Sequence, residues 1–179
     1  MALGHWPMAF GPFERGAANP HTEPMDIKLG IDDTARDQIA GELTQLLADT
    51  YALYLKSQNY HWNVEGPMFR ALHLMFEEHY IELRDAVDLI AERIRSLGHP
   101  AAASFAEFAR LTEIPDGDST LDAMAMVRGL AEGHETCART ARGVVKMAED
   151  AGDVATADLA TVRVETHEKT AWMLRATAA

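Results

Sequence analysis

The sequence is short of cysteine, of basic residues and of long apolar runs, and each shortage excludes something. One cysteine, Cys137, in 179 residues leaves no intrachain disulfide framework and no Cys-rich zinc site, and suits a reducing compartment. Sixteen Lys and Arg stand against 28 Asp and Glu, a net charge of −12. Broad binding to a phosphate backbone needs the opposite surplus. No stretch approaches about eighteen uninterrupted apolar residues, so no membrane-spanning helix is expected. The first residues, MALGHWPMAF, have neither a basic flank nor a long apolar run, which predicts no secretory leader and a cytoplasmic protein. Strand-like alternation, internal repeats and low-complexity runs are also missing. What is there, 47% hydrophobic and 25% charged residues, is the composition of one globular domain with a sizeable core.

Residues 1–30 carry Pro7, Pro12, Pro20 and Pro24 with Gly4, Gly11, Gly16 and Gly30, a density of breakers that forbids a helix. This tail reads either as an arm laid on a protein surface through Trp6, Phe10 and Phe13 or as a disordered extension. From residue 31 to 179 the pattern is helical. After a cap at Asp32 or Asp33, apolar positions recur three and four apart: Ile39, Leu43, Leu46, Thr50, Leu53, Ser57, Tyr60, Val64. Gly66-Pro67 ends that helix, and Pro67 suits the first turn of the next. The second stripe runs Phe69, His73, Phe76, Tyr80, Leu83, Val87, Ile90, Ile94, Leu97, and stops at Gly98 and His99-Pro100. A third runs from Ala123 through Val127, Leu130, His134, Cys137, Ala141 and Val144 to Ala148, after cap candidates in 116–119. A fourth starts near Asp153 with Leu159, Val162, Thr166 and Met173. Four such helices predict an all-α, antiparallel four-helix bundle. The link between the second and third is long, and Ala101 to Arg110 reads as a short extra helix with Phe105 and Phe108 facing inward.

The chemistry lies on the first two helices. His73 and Glu77 are four apart and share a helical face, as do Asp88 and Glu92; His61 sits just before the turn that leads into the second helix. Imidazole with carboxylate suits iron, manganese or zinc. Alone, His73 would read as a hydrogen-bonded interior histidine, and Asp88 and Glu92 as a solvated face or helix partners of Arg84 and Arg95. Fifteen residues part His73 from Asp88, about 22 Å at roughly 1.5 Å per residue, whereas a metal–ligand bond is about 2 Å. The two pairs therefore cannot surround one ion in one chain. They can meet if two copies of the second helix lie antiparallel across a two-fold axis, which generates two such sites per dimer. The ordinary di-iron bundle instead uses Glu-x-x-His pairs facing one core. None of the eight histidines has a glutamate three residues before it, which predicts no such centre within one subunit.

Tyr60-His61-Trp62-Asn63-Val64-Glu65-Gly66, then Phe69, Leu72-His73, Phe76-Glu77-Glu78, Asp88 and Ala91-Glu92-Arg93 closely resemble the Dps family, the mini-ferritins or DNA-binding proteins from starved cells. The likeness continues through Glu107-Phe108-Ala109 and 167–174, covering about residues 31–176. It implies a ferritin-like fold and a shell of twelve subunits, with di-iron ferroxidase centres shared between two subunits. One subunit would supply His61, His73 and Glu77, and its partner Asp88 and Glu92. Many relatives carry aspartate where this chain has Glu77, and the longer carboxylate would shift the second iron position. The resemblance further implies oxidation of Fe(II), preferentially by hydrogen peroxide, storage of the ferric product, and protection against oxidative damage. Trp62 resembles the family tryptophan that intercepts stray oxidant; interface packing is its other reading.

In the same family an acidic pore admits iron near the start of the last helix. Glu149, Asp150, Asp153 and Asp158 cluster there, with Asp153 and Asp158 as candidate guides. Favourable contact with the helix dipole is their other reading. DNA binding in the family usually depends on basic tails. Residues 1–30 hold Arg15 and Lys28 against Glu14, Glu23 and Asp26, and the C-terminal end adds only Arg175. DNA binding is therefore expected to be weak or absent; a nucleoid-associated, DNA-protecting protein with secondary iron chemistry is the alternative. Of the remaining histidines, His134 is expected to pack in the core and His167 to pair near Glu168 or an interface. His5 and His21 could join tail carboxylates in a further metal site. Cys137 reads as a small core residue.

Overall fold

The computed structural model describes residues 27–179; the expectations for His5, His21, Trp6, Phe10 and Phe13 fall outside them. Five helices follow one another: α1 (Asp33–Asn63), α2 (Phe69–Ser96), α3 (Phe105–Leu111), α4 (Ala123–Asp150) and α5 (Val154–Thr177). There is no strand among the described residues. The architecture is the expected four-helix bundle, with α3 as the extra helix in the long crossover between the second and third long helices.

Local chemistry sets the helix ends. The Asp32 carboxylate accepts from the Thr34 and Ala35 amides at 2.9 and 3.2 Å and starts α1. Asp122 accepts from the Ala125 amide at 2.8 Å and starts α4. Each such cap stabilises its helix by about 1 kcal/mol. The start of α4 thus falls after the expected 116–119 segment, because Asp118 instead closes a turn onto the Thr120 amide and hydroxyl. Pro67 lies in the turn before α2, whose cap position is Met68, rather than in its first turn. At the far ends of α2 and α4, Gly98 (φ 96°) and Gly152 (φ 70°) take the left-handed conformation. There the His99 amide donates to the Ile94 carbonyl at 3.2 Å, and the Asp153 amide to that of Ala148 at 2.8 Å.

The inward stripes of α1 and α4 follow the sequence periodicity closely. That of α2 follows it from Phe76 through Leu83, Ile90 and Ile94, while Phe69 is exposed and His73, Tyr80 and Val87 are half-buried beside the buried Leu72, His79 and Ala86. The stripe of α5 does not follow it. Its buried side is Thr156, Ala160, Arg163, His167, Thr170, Ala171 and Leu174, while Val162 is 52% exposed and Met173 also faces out. The expected apolar stripe follows the wrong face because α5 turns small and polar residues inward. Phe105 likewise departs from expectation: Phe108 is buried, but Phe105 is 72% exposed in the single chain. The α1/α2 and α4/α5 pairs pack closely, as do α1 and α4. Across the α2/α5 seam long side chains make the connection, with Arg93 reaching Asp153 and Thr156, and Arg163 reaching Glu82.

Asp49, wholly buried on α1, anchors the crossover. Its carboxylate accepts from the Thr112 hydroxyl at 3.0 Å, the Glu113 amide at 2.8 Å and the Thr140 hydroxyl at 2.9 Å. A buried carboxylate is tolerated only when its lone pairs are filled in this way.

Candidate metal centre

His61 closes the last turn of α1 and His73 lies in the second turn of α2. The short turn between these helices brings the two imidazoles face to face, with centroids 3.8 Å apart and planes 18° from parallel. Each Nδ1 lies 2.8 Å from the backbone carbonyl of the other histidine. A carbonyl only accepts, so each Nδ1 carries the proton and donates it. With Nδ1 committed to a carbonyl, Nε2 is the atom each ring has left to offer a divalent cation. The Phe69 ring stacks on His73 at 5.1 Å, and the edge of Tyr80 meets His61 at 5.1 Å.

Glu77 follows His73 by one turn, and the Tyr80 hydroxyl donates to its carboxylate at 3.4 Å. Tyr80 thus touches both His61 and Glu77. Sequence reasoning counted it only as a stripe residue; its place three residues after Glu77 was the available sign. Asp88 and Glu92 lie farther along α2 and are exposed. They make no ion pair or hydrogen bond among the described residues, and the cations expected to take them have other partners. Arg84 binds Asp85 at 2.8 Å, and Arg95 donates to the His99 carbonyl at 3.0 Å. Among the described residues, no three metal-ligating side chains converge within the chain. One subunit holds a pair of prepared imidazoles at one end of α2 and an unpartnered pair of carboxylates toward the other.

Trp62, beside His61, is 65% exposed. It borders an open groove of about 610 Å³ that Tyr51, Leu55, Phe105 and Phe108 also line.

Residues 40–179 match the ferritin family, whose description is a ferritin-like domain. A DNA protection during starvation protein of Bacillus anthracis is 34% identical over 139 residues, covering 78% of this chain and 95% of that protein. The chain belongs to the Dps family. An uncharacterized low temperature-induced protein of Nostoc is 41% identical over 152 residues, covering 83% of this chain and 84% of that one. The Dps structure from Vibrio cholerae O1, described as a ferritin-like diiron-carboxylate protein, superposes with a TM-score of 0.83. It is 30% identical and covers 88% of this chain and all of its own. This Dps chain therefore shares the ferritin-like bundle as well as the sequence pattern.

Two acidic residues separate at the start of α5. Asp158 is exposed. Asp153 is buried and caps the helix, taking Arg93 Nη2 at 2.6 and 2.8 Å and the Thr156 amide at 3.1 Å. Burial alone would push the Asp153 carboxyl up, but the Arg93 and Thr156 hydrogen bonds outweigh it and hold the group below the usual carboxylate range. Of the two candidate guides, only Asp158 is free to meet a passing cation. Asp150 is exposed and paired with Lys146 at 2.7 Å.

His167 corrects an expectation. It is wholly buried and bonded to His134 and Arg163, not to Glu168; Glu168 pairs with Arg142 on the surface. His79 lies against His134 as well, with centroids 5.6 Å apart. Each residue reads from sequence as an isolated helical histidine, since nothing local says that three helices bring them together.

Proposed function

We propose that this protein oxidises Fe(II), preferentially with hydrogen peroxide, at centres shared between two subunits, and stores the ferric product in a hollow shell. The observation that carries this reading is the division of labour along α2. His61 and His73 each commit Nδ1 to a backbone carbonyl and leave Nε2 for a metal, while Asp88 and Glu92 are exposed and, among the described residues, unpaired, starting about 22 Å along α2 from His73. Two antiparallel copies of α2 would bring the imidazoles and Glu77 of one subunit to the partner's carboxylates. Imidazole and carboxylate donors together suit a hard or borderline divalent cation. Two Fe(II) ions held there give two electrons to one peroxide, and with two protons the products are two Fe(III) and two waters. No hydroxyl radical is released. Trp62, exposed beside His61, would either pack in that interface or intercept a stray one-electron oxidant.

The subunits would form a dodecamer from two-fold dimers, in the cytoplasm, with Asp158 beside the route of entry. DNA is a weak partner in this reading, because the surplus charge is negative and many surface cations are already paired: Arg142 with Glu168, Arg175 with Glu135, Lys146 with Asp150.

Anaerobic loading with Fe(II), followed by peroxide or oxygen in parallel, tests the reading through ferric absorbance. Wild type should react faster with peroxide, and His61→Ala/His73→Ala should lose the fast phase. Unchanged oxidation in the double variant would refute the site, and an equally fast reaction with oxygen would refute the peroxide preference.

A further inference from the structure

Away from the candidate centre, a chain of polar side chains crosses the bundle core. His134 Nδ1 on α4 lies 2.9 Å from His167 Nδ1 on α5. His167 Nε2 lies 3.3 Å from Arg163 Nη2. Both terminal nitrogens of Arg163 donate to the Glu82 carboxylate on α2, with Nη2 and Oε2 3.0 Å apart. His134 and His167 are 1% and 0% exposed and Arg163 is almost as deeply buried. The cluster sits between two apolar layers: along α5, Ala160 belongs to one and Leu174 to the other.

The donors fix every proton in this chain. A guanidinium has no acceptor, so Arg163 donates and His167 Nε2 must accept. The His167 proton is then on Nδ1, which donates to His134 Nδ1. The His134 proton is left on Nε2, a buried atom with no partner. That atom presents a proton rather than a lone pair, so the cluster in this state is not a cation site. It is also saturated with protons. Charging His167 would place a hydrogen on Nε2 against the guanidinium, and charging His134 would place one on Nδ1 against the His167 N–H. Either event turns a hydrogen bond into a donor–donor clash.

No spare counter-charge relieves it. On α2 the neighbours are His79 and Glu82, and Glu82 is taken by Arg163. On α4 the next turn presents the Cys137 thiol, which burial keeps protonated. On α1 the Asp49 carboxylate, whose charge reaches Cys137, is already filled by Thr112, Glu113 and the Thr140 hydroxyl of α4, and Lys56 donates to the Pro115 carbonyl at 3.2 Å. On the α4 and α5 surfaces, Glu135 and Glu168 pair with Arg175 and Arg142.

We propose that His134, His167, Arg163 and Glu82 form an acid-sensitive latch that ties α4 and α5 to α2, and that protonation of either imidazole releases the α2/α5 seam. The inference is independent of the iron chemistry. Burial, followed by the nearby Arg163 charge, pushes His167 down to about 3. Burial first, then His167, His79 and Arg163, pushes His134 well below its ordinary range. The folded chain thus keeps both rings neutral, whereas the unfolded chain charges them below about pH 6.5. Unfolding takes up protons in that window, so stability falls as the pH falls through it and is unaffected by these groups above it.

The test compares the melting temperature of the assembled wild-type protein with that of His134→Gln/His167→Gln between about pH 7 and 4.5. An amide at 167 can accept from Arg163 and donate to an amide oxygen at 134, preserving the chain without a titrating ring. Wild type should lose melting temperature steeply, and the double variant should show a slope smaller by about half or more. Equal slopes would overturn the latch. If the double variant does not fold, nitrogen-15 spectra of the wild-type rings decide instead. Neutral rings at about pH 5, with the proton on Nδ1 of His167 and Nε2 of His134, support the latch; a ring that charges near its ordinary value of about 6.5 overturns it.

Discussion

A carbonyl oxygen 2.8 Å from each of two Nδ1 atoms decides what His61 and His73 can do. The same atom type, Nδ1, is turned to opposite use in His134, where it accepts, because the donor order there begins at a guanidinium. Histidine chemistry in this protein is therefore set by the partner of one ring nitrogen and not by residue type. Asp49 illustrates the same rule for a carboxylate. Asp49→Ala would leave the Glu113 amide and the Thr112 hydroxyl without their acceptor, and the Thr140 hydroxyl with only the Thr136 carbonyl at 3.3 Å. Stability should fall by about 2–4 kcal/mol, since each unsatisfied buried polar group costs about 1–3 kcal/mol. Chemical denaturation with an unchanged m-value and a lower midpoint would show it; an unchanged midpoint would mean that the crossover does not need this anchor.

Among the helices, α1 and α4 approach where Gly133 faces Leu53. A Cβ on Gly133 would stand 2.6 Å from Leu53 Cδ1. Both residues are buried, so the leucine cannot swing into solvent. Gly133→Ala should lower stability by about 1–3 kcal/mol despite the better helix propensity of alanine. A thermal midpoint equal to or above that of wild type would show that the core can yield there. The α2/α5 seam is built differently, from the two guanidinium bridges. Its acid responses separate by group. The depressed Asp153 carboxyl contributes stability that is present above its unfolded value, about 3.9, and is lost as the pH falls through its lower folded value. The histidine contribution is lost earlier, as the pH drops below about 6.5.

At the scale of the whole molecule, the proposed centre requires two chains, and mixing can show it. A subunit carrying His61→Ala/His73→Ala keeps its carboxylates, and one carrying Asp88→Asn/Glu92→Gln keeps its histidines. Neither alone should oxidise Fe(II) rapidly. In a dimer of one with the other, one of the two sites regains a full set of wild-type ligands while the second lacks all four. Random co-assembly of equal amounts should restore about a quarter of the wild-type sites. Recovery of the fast phase after refolding the mixture measures this, and no recovery would refute a shared site.

The sequence by itself determined the helices, most of their inward faces and the five candidate ligands. Period, cap and breaker signals act within a few residues, so Ile39 to Val64 and the Asp153 cap could be placed without a fold. Helical rise alone also sufficed to separate His73 from Asp88. Tertiary structure decided which polar groups meet. Thr140 reaches Asp49 across 91 positions and Arg163 reaches Glu82 across 81. The rotation of α5 that turns Arg163 and His167 inward, with Val162 outward, depends on those distant partners. An apolar stripe records only which face avoids water. Whether a buried imidazole becomes a ligand or part of a latch is set by the donor or acceptor that another helix brings to it.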